Sequence, residues 1–171
     1  MRSRNFRGLA ASAGALALAM GVASLALAPA AEAATTLTRY NVIQVTKKYS
    51  ATGGQFASCK ITSTGGTCTI TSGKLVARTV QASLGYTQSG VSAGLNISQA
   101  TTVTTTVSCS SPALKAGQVW RARAVGTQYN YKIQQQRGTK PRIGGTTWTT
   151  VATSGALTAF DPYTQDISCG L

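Results

Sequence analysis

Few side chains of this sequence could carry out acid–base chemistry. The chain contains no His, and its three acidic residues are Glu32, Asp161 and Asp166. General acid–base catalysis and most metal sites draw on His, Asp and Glu, so a Ser/His/Asp or Cys/His nucleophile cannot be assembled. Asp161 and Asp166 could act as a glycosidase pair only if both faced one cleft, and Asp161 before Pro162 is more simply a turn initiator. We therefore expect no enzymatic activity, no cofactor and no metal site.

The four cysteines are the second group with distinctive chemistry. The chain has four of them, an even count: Cys59, Cys68, Cys109 and Cys169. In an exported chain an even count favours two disulfides, and four cysteines allow three connectivities. A zinc site built from all four thiolates is the alternative, but none of their spacings is C-x2-4-C. We favour Cys59 with Cys68, and Cys109 with Cys169. The second bridge would fasten the C-terminal tail to a sheet.

A bridge between Cys59 and Cys68 constrains the loop that joins them. A two-residue turn at residues 65–66 would leave the two cysteines about 13 Å apart at the rise of a strand, which is beyond disulfide reach. A longer loop over residues 62–65, with a glycine in the left-handed conformation, brings them level. We therefore expect CKITSTGGTCTI to form a hairpin with the longer loop.

The N-terminal segment is typical of a secretory signal peptide. The basic stretch MRSRNFR precedes an Ala/Leu-rich run over residues 8–28, and residues 31–33 provide an A-x-A cleavage site. A transmembrane anchor is the alternative, but no charge cluster follows the run. We expect a signal peptide over residues 1–33, a single secreted β domain over residues 34–171, and an extracellular location.

The exported part is strongly basic. The whole chain has a formal charge of +13, and removing Arg2, Arg4, Arg7 and Glu32 with the signal peptide leaves +11. A field of this sign raises association rates with anionic surfaces outside the cell. We expect an anionic polymer, a glycan or a membrane surface as the partner. Export and the lack of a nucleic-acid-binding signature argue against a dedicated nucleic-acid role.

Two groups of side chains are candidates for contact with such a partner. The candidate anion-binding residues lie on a predicted strand over residues 118–134 and in a predicted basic loop over residues 137–145: Arg121, Arg123, Arg137, Lys140 and Arg142. The candidate aromatic contacts are Tyr129, Tyr131 and Trp148. The alternatives are that the charges serve solubility alone and that the aromatic rings pack in the core or across strands.

The composition after the signal segment predicts an all-β domain, because Thr, Ser, Val, Gly and Tyr dominate and helical spacing is not sustained. Apolar and polar residues alternate through residues 76–109, with a change of parity near Ser89-Gly90. This alternation predicts a long amphipathic hairpin, joined by a loop of two or four residues. We expect an antiparallel sandwich or an elongated twisted sheet that includes this hairpin and two disulfides.

The order of elements from Arg78 to Ile133 resembles the core of aerolysin-type β-pore-forming proteins. The resemblance consists of a hydroxyl-rich amphipathic hairpin, a Thr/Ser-rich strand, a Pro/Gly turn and a strand like AGQVWRARAVGTQYNYKI. It implies that the 76–109 hairpin inserts into membranes, and it transfers no catalytic residues. The chain also resembles uncharacterised small secreted β-rich proteins of actinobacteria.

Three functions are consistent with these patterns. The first is a secreted, non-enzymatic β domain that binds an anionic or cell-envelope partner. The second is an aerolysin-like pore-forming or membrane-active protein. The third is a protease inhibitor or a structural secreted domain, for which RGTKPRIGG would be the exposed loop. We expect a monomer, with an oligomer only if the protein forms pores.

Overall fold

A computed structural model describes residues 35–141 and 143–171 of the chain. The predicted signal peptide and Arg142 lie outside the described residues. Within them, nine strands and one helix follow one another in this order: β1 (Thr35–Lys60), β2 (Thr69–Ile70), β3 (Leu75–Ala77), β4 (Thr79–Val80), α1 (Gln88–Leu95), β5 (Thr102–Thr104), β6 (Cys109–Ser110), β7 (Val119–Lys140), β8 (Thr147–Thr153) and β9 (Leu157–Gly170). The predicted all-β class is confirmed, and no described helix has the length and apolarity needed to cross a membrane.

The main sheet is built around β7, whose 22 residues span about 70 Å at the rise of a strand. β1 pairs with one edge of β7 along its whole length, while β9 and β8 share the other edge, and β4 extends the sheet beyond β9. All these pairings are antiparallel. Two short two-stranded sheets, β2 with β6 and β3 with β5, lie outside this sheet.

β1 is bulged, whereas β7 is regular. The two strands pair from end to end although β1 has 26 residues and β7 has 22. The four extra residues are taken up at four register shifts, each of which adds one residue to β1. Gln44 and Ser50 lie in two of these bulges with φ of 54° and 51°, the left-handed conformation that one residue adopts in a G1-type bulge.

Two separate cores lie on opposite faces of the sheet. The larger core, on the side of α1, consists of Val91, Leu95, Ile97, Tyr129, Tyr131, Ile133 and Ala159. The smaller core, near the disulfides, consists of Ile61, Cys68, Ile70, Leu114 and Ala122. β7 contributes odd-numbered residues to the larger core and Ala122 to the smaller one. Because successive side chains of a regular strand point to opposite faces, the two cores are on opposite sides of β7.

The long hairpin predicted over residues 76–109 does not form. β4 ends at Val80, the chain turns through Leu84 and Gly85, both with positive φ, and residues 88–95 form α1. Left-handed residues at two successive positions interrupt an extended strand. Val91 and Leu95 are four residues apart, so they lie on one face of the helix and fill the larger core.

The two disulfides pair the cysteines as favoured from the sequence, Cys59 with Cys68 and Cys109 with Cys169. No cysteine of the described residues is free. In the segment closed by the first bridge, Gly65 has the left-handed conformation expected of a glycine there, with φ 86°. The predicted hairpin is wrong, because β1 ends at Lys60 and β2 pairs with β6. Disulfides indicate an extracellular or otherwise oxidising environment.

The C-terminal third is more continuous than predicted. Arg137 and Lys140, expected in a basic loop, are the last residues of β7 and are paired with Thr38 and Thr35 of β1. The C-terminal tail that the second bridge was expected to fasten is itself part of β9, so Asp161 is a strand residue and not a turn initiator. Pro162 is tolerated in this strand because it adjoins a register shift, where a ladder hydrogen bond is not needed.

Candidate functional site

The two carboxylates of the described residues do not form a pair in one site. Asp161 accepts a hydrogen bond from Nε of Arg78 at 2.7 Å, and the two side chains are 26% and 8% exposed. Asp166 is exposed on the part of β9 that has no partner on β7. Asp161 is thus explained by a half-buried ion pair. No three His, Cys, Asp or Glu side chains of the described residues gather into a metal-binding set.

The cations predicted from the sequence do not converge on one place. Arg121 and Arg137 are sixteen residues apart on the regular strand β7, a separation of about 50 Å. Arg137 and Lys140 differ in parity and therefore point to opposite faces of the sheet. The side chain of Arg142 falls outside the described residues. The predicted set is therefore not a single anion site.

Arg121 and Arg123 line a small open recess beside the C-terminus. It has a volume of about 260 Å³, and its other lining residues include Thr52, Ser168 and Leu171. Arg121 donates from Nη1 to the carbonyl oxygen of Val119 at 3.4 Å, whereas the side chain of Arg123 is exposed. Two guanidinium groups with adjacent hydroxyls are suited to a small anion.

Two of the three predicted aromatic contacts are core residues. Tyr129 is 6% exposed and Tyr131 is 2% exposed, and both pack in the larger core. The hydroxyl of Tyr131 donates to the carbonyl oxygen of Gln81. Burial raises the pKa of both phenols. The prediction that these rings contact a ligand is therefore wrong, because a ring enclosed by the core cannot reach one.

Trp148 is half-buried and contacts a cation of its own chain. Its indole ring lies against Gly138 of β7, where an added Cβ atom would be 2.9 Å from ring carbons. The guanidinium carbon of Arg39, on β1, lies 4.1 Å from the centre of a Trp148 ring. A cation this close to an aromatic face is attracted by the ring quadrupole. The ring of Trp148 thus positions Arg39.

Gln136 fixes the same guanidinium from the side. Nε of Arg39 donates to Oε1 of Gln136 at 2.6 Å, and Nδ2 of Asn41 donates to the same oxygen at 3.1 Å. The amide nitrogen of Gln136 donates in turn to Oε1 of Gln134 at 2.9 Å and to Oγ1 of Thr150 at 3.3 Å. Arg39 is exposed, and none of the described residues accepts a hydrogen bond from its Nη atoms.

Arg39 belongs to a long polar surface, which we name the amide face. It consists of the even-numbered side chains of β7 from Gln128 to Lys140, together with the residues opposite them on β1, β8 and β9. Its amides are Asn41, Gln128, Asn130, Gln134 and Gln136, and its cations are Arg39, Lys48, Lys132 and Lys140. The face is about 40 Å long at the rise of a strand.

The amide face is open and lacks negative charge. Gln128, Lys132, Gln134 and Gln136 are half-buried, and Asn130 is exposed. Neither carboxylate of the described residues is paired with a residue of this face. At the Gln128 end, the face runs into an uncharged recess of about 310 Å³ whose lining includes Gln55, Phe56 and Phe160. The opposite face of β7 is covered by the larger core from Tyr129 to Ile133.

Sequence reasoning missed Arg39, Asn41 and the row of β7 amides. The strand predicted over residues 118–134 includes Gln134 but ends before Gln136. The contact between Arg39 and Trp148 depends on two strand pairings. β1 pairs with β7 across about a hundred residues of sequence, and β7 pairs with β8 across about ten.

Comparison of the chain with family models, curated proteins and solved structures finds no match.

Proposed function

We propose that the protein is a secreted, non-enzymatic β domain that binds an anionic polymer of the cell envelope. The observation that carries this proposal is the imbalance of charge on the folded chain. Arg78 with Asp161 is the single ion pair of the described residues. The other Lys and Arg side chains described have no carboxylate within 4 Å, so their field is directed to the solvent.

The distribution of the cations favours a polymer over a small anion. They follow β1 and β7 for tens of ångströms and do not gather in one cleft. A small ion would touch one or two of them, whereas an extended chain of negative charges could touch many. Binding of this kind releases counterions and therefore weakens steeply with salt.

Secretion is supported by two independent features. The N-terminal residues have the pattern of a signal peptide, and the rest of the chain carries two disulfides.

The non-enzymatic role is supported by the chemistry of the acidic residues. Of the two in the exported part, Asp161 is already paired with Arg78.

The described residues offer no specific observation in favour of the two other functions. The segment predicted to insert into membranes contains α1, whose Val91 and Leu95 are buried in the larger core. The loop considered for protease inhibition is shorter than expected, because Arg137 and Lys140 belong to β7.

Binding of the mature protein to an acidic polysaccharide tests the proposal. We expect affinity for polygalacturonate that falls at least tenfold between about 50 mM and 200 mM NaCl, as expected when several phosphate or carboxylate contacts release counterions. Neutral dextran is the control and should not bind. The absence of binding at 50 mM NaCl would overturn the proposed function, and shortening of the polymer during incubation would overturn its non-enzymatic part.

A further inference from the structure

We infer that the bound polymer is a glycan that lies along the amide face, and that Arg39 pairs with an acidic group of this glycan through its two Nη atoms. This inference rests on the proposed function and names its binding surface and partner class. The juxtaposition that carries it is a guanidinium held by Trp148 and Gln136 at one end of an open row of amides.

The chemistry of the face fits a carbohydrate. A side-chain amide has two donors and an acceptor, and a sugar hydroxyl likewise both donates and accepts, so a row of Asn and Gln can hydrogen-bond successive sugar rings. Gln128 and Asn130 form no side-chain hydrogen bond with other described residues, which leaves their amides available. Gln134 and Gln136 hold each other and Arg39 in place.

The same face is a poor match for a bilayer or for a protein partner. Insertion into lipid requires a band of apolar side chains, and the large hydrophobic residue exposed on this face is Leu37, at 36%. Protein interfaces are anchored by buried aromatic or Arg side chains at a desolvated centre, whereas the centre of this face is Asn130, Lys132 and Gln134. An open polar track of about 40 Å suits an extended chain.

Arg39 is prepared for an oxyanion. Its Nε atom is engaged by Gln136 and its planar group rests at the Trp148 ring, so little side-chain entropy remains to be lost. The two Nη groups point away from Gln136 and can donate in parallel to two oxygens of one carboxylate or phosphate. Lys132 and Lys140, each four residues from Gln136, add positive charge about 13 Å away on either side.

A charge-conserving substitution separates this pairing from general electrostatic attraction. Arg39→Lys keeps the charge but loses the planar pair of donors and the contact with Gln136. The matched control is Arg137→Lys, on the same sheet level but on the opposite face of β7. The probes are polygalacturonate, a phosphorylated mannan, inorganic polyphosphate without sugar, and neutral dextran, all at about 150 mM NaCl, with circular dichroism as the folding check.

We expect Arg39→Lys to bind at least one of the two acidic glycans about tenfold more weakly, the size of a bidentate charge-assisted pair. Its affinity for polyphosphate should fall by less, because a chain without sugar hydroxyls is not held on the amide row beside Arg39. Arg137→Lys should match the wild type throughout. The preferred glycan, carboxylated or phosphorylated, identifies the source of the oxyanion. Equal losses in the two variants, or an Arg39→Lys protein that binds both glycans as the wild type does, would overturn the inference.

A second substitution tests the amide row without altering charge. Asn130→Leu should weaken glycan binding at least threefold and leave polyphosphate binding unchanged, because it removes a hydrogen-bonding side chain from an exposed position. Thr139→Leu, exposed on the opposite face of the same strand, is the control. If no variant matters but salt-dependent polyanion binding persists, the proposed function stands and the amide face is not its site. If the wild type binds no polyanion, the proposed function itself fails.

Discussion

Gly94 of α1 lies so close to Val42 of β1 that a Cβ atom added to the glycine would be 2.5 Å from Cγ2 of the valine. The contact holds the helix against the larger core. In an exposed helix, Gly→Ala gains about 1 kcal/mol from helix propensity. Here the added methyl group must displace a packed side chain, which costs about 1–3 kcal/mol. We therefore predict that Gly94→Ala fails to stabilise the protein and lowers the free energy of unfolding measured in urea.

Ala93 provides the matched control, since it is exposed on the same helix. Ala93→Gly should lower the free energy of unfolding by about 1 kcal/mol through propensity alone. If Gly94→Ala instead raises the free energy of unfolding by about 1 kcal/mol, only helix propensity acts at this position. That result would contradict the close packing of α1 on β1.

The hydroxyl of Thr87 should stabilise the first turn of α1. Thr87 has extended backbone angles, and its Oγ1 accepts a hydrogen bond from the backbone nitrogen of Gly90 at 3.1 Å, as an N-cap residue does. Thr87→Ala should lower the free energy of unfolding by about 1 kcal/mol, whereas Thr87→Ser should change it little. Equal stability of the Ala and Ser variants in urea titrations would show that this cap does not contribute.

The helix could not be identified from the sequence because two periodicities share the same residues. Val91 and Leu95 fit both a strand of period two and a helix of spacing four, and only eight residues are available to distinguish them. Ala93, which the strand pattern placed on the apolar face, is exposed, and this separates the two patterns once the structure is known. By contrast, the strand predicted over residues 118–134 is confirmed as the first part of β7, which continues to Lys140, because seventeen residues of alternation leave no such ambiguity.

The candidate site could be predicted only in part for a related reason. Lys140 was singled out because charge is a local property of the sequence. Arg39 gains its role from Trp148 and Gln136, and that role depends on the register of β1 against β7. Four bulges shift this register along β1, and each one reverses which residues of β1 share a face with β7. Alternation read from β1 is therefore interrupted beyond Ile43. Over the unbulged stretch that contains Arg39, the sequence of β1 alone does not say which residues of β7 lie opposite.

The two disulfides should contribute unequally to stability. Cys59 and Cys68 are 9 residues apart, and Cys109 and Cys169 are 60 apart. In the chain-entropy description, closing these loops stabilises the protein by about 2.5 and about 4 kcal/mol, respectively. Replacing each pair by Ala should therefore leave the variant without the second bridge less stable, as measured by thermal and urea unfolding under non-reducing conditions.

The bridge between Cys109 and Cys169 should stabilise one end of β9 in particular. Cys169 lies next to the last residue of β9 and is paired with Ala122 of β7. Without its disulfide, the end of β9 should become sensitive to limited proteolysis while α1 stays protected. A larger loss of stability in the variant lacking the bridge between Cys59 and Cys68 would contradict the loop-length argument.

The buried phenol of Tyr131 should make stability fall at alkaline pH. Burial raises the pKa of this group above its ordinary value of 10.0. The folded chain therefore keeps the proton at a pH where the unfolded chain releases it, so the stabilisation is complete below pH 10.0 and is lost as the pH rises towards the folded-state pKa. The substitution Tyr131→Phe removes the titrating group and the hydrogen bond to Gln81.

At pH 8 the Tyr131→Phe variant should be about 1 kcal/mol less stable than the wild type, and this difference should shrink above pH 10. Ile133→Val, which costs about 1 kcal/mol in the same core without any titrating group, should keep a constant difference across the range. A difference for Tyr131→Phe that is equally constant from pH 8 to 11 would mean that the phenol ionises alike in the folded and unfolded chains.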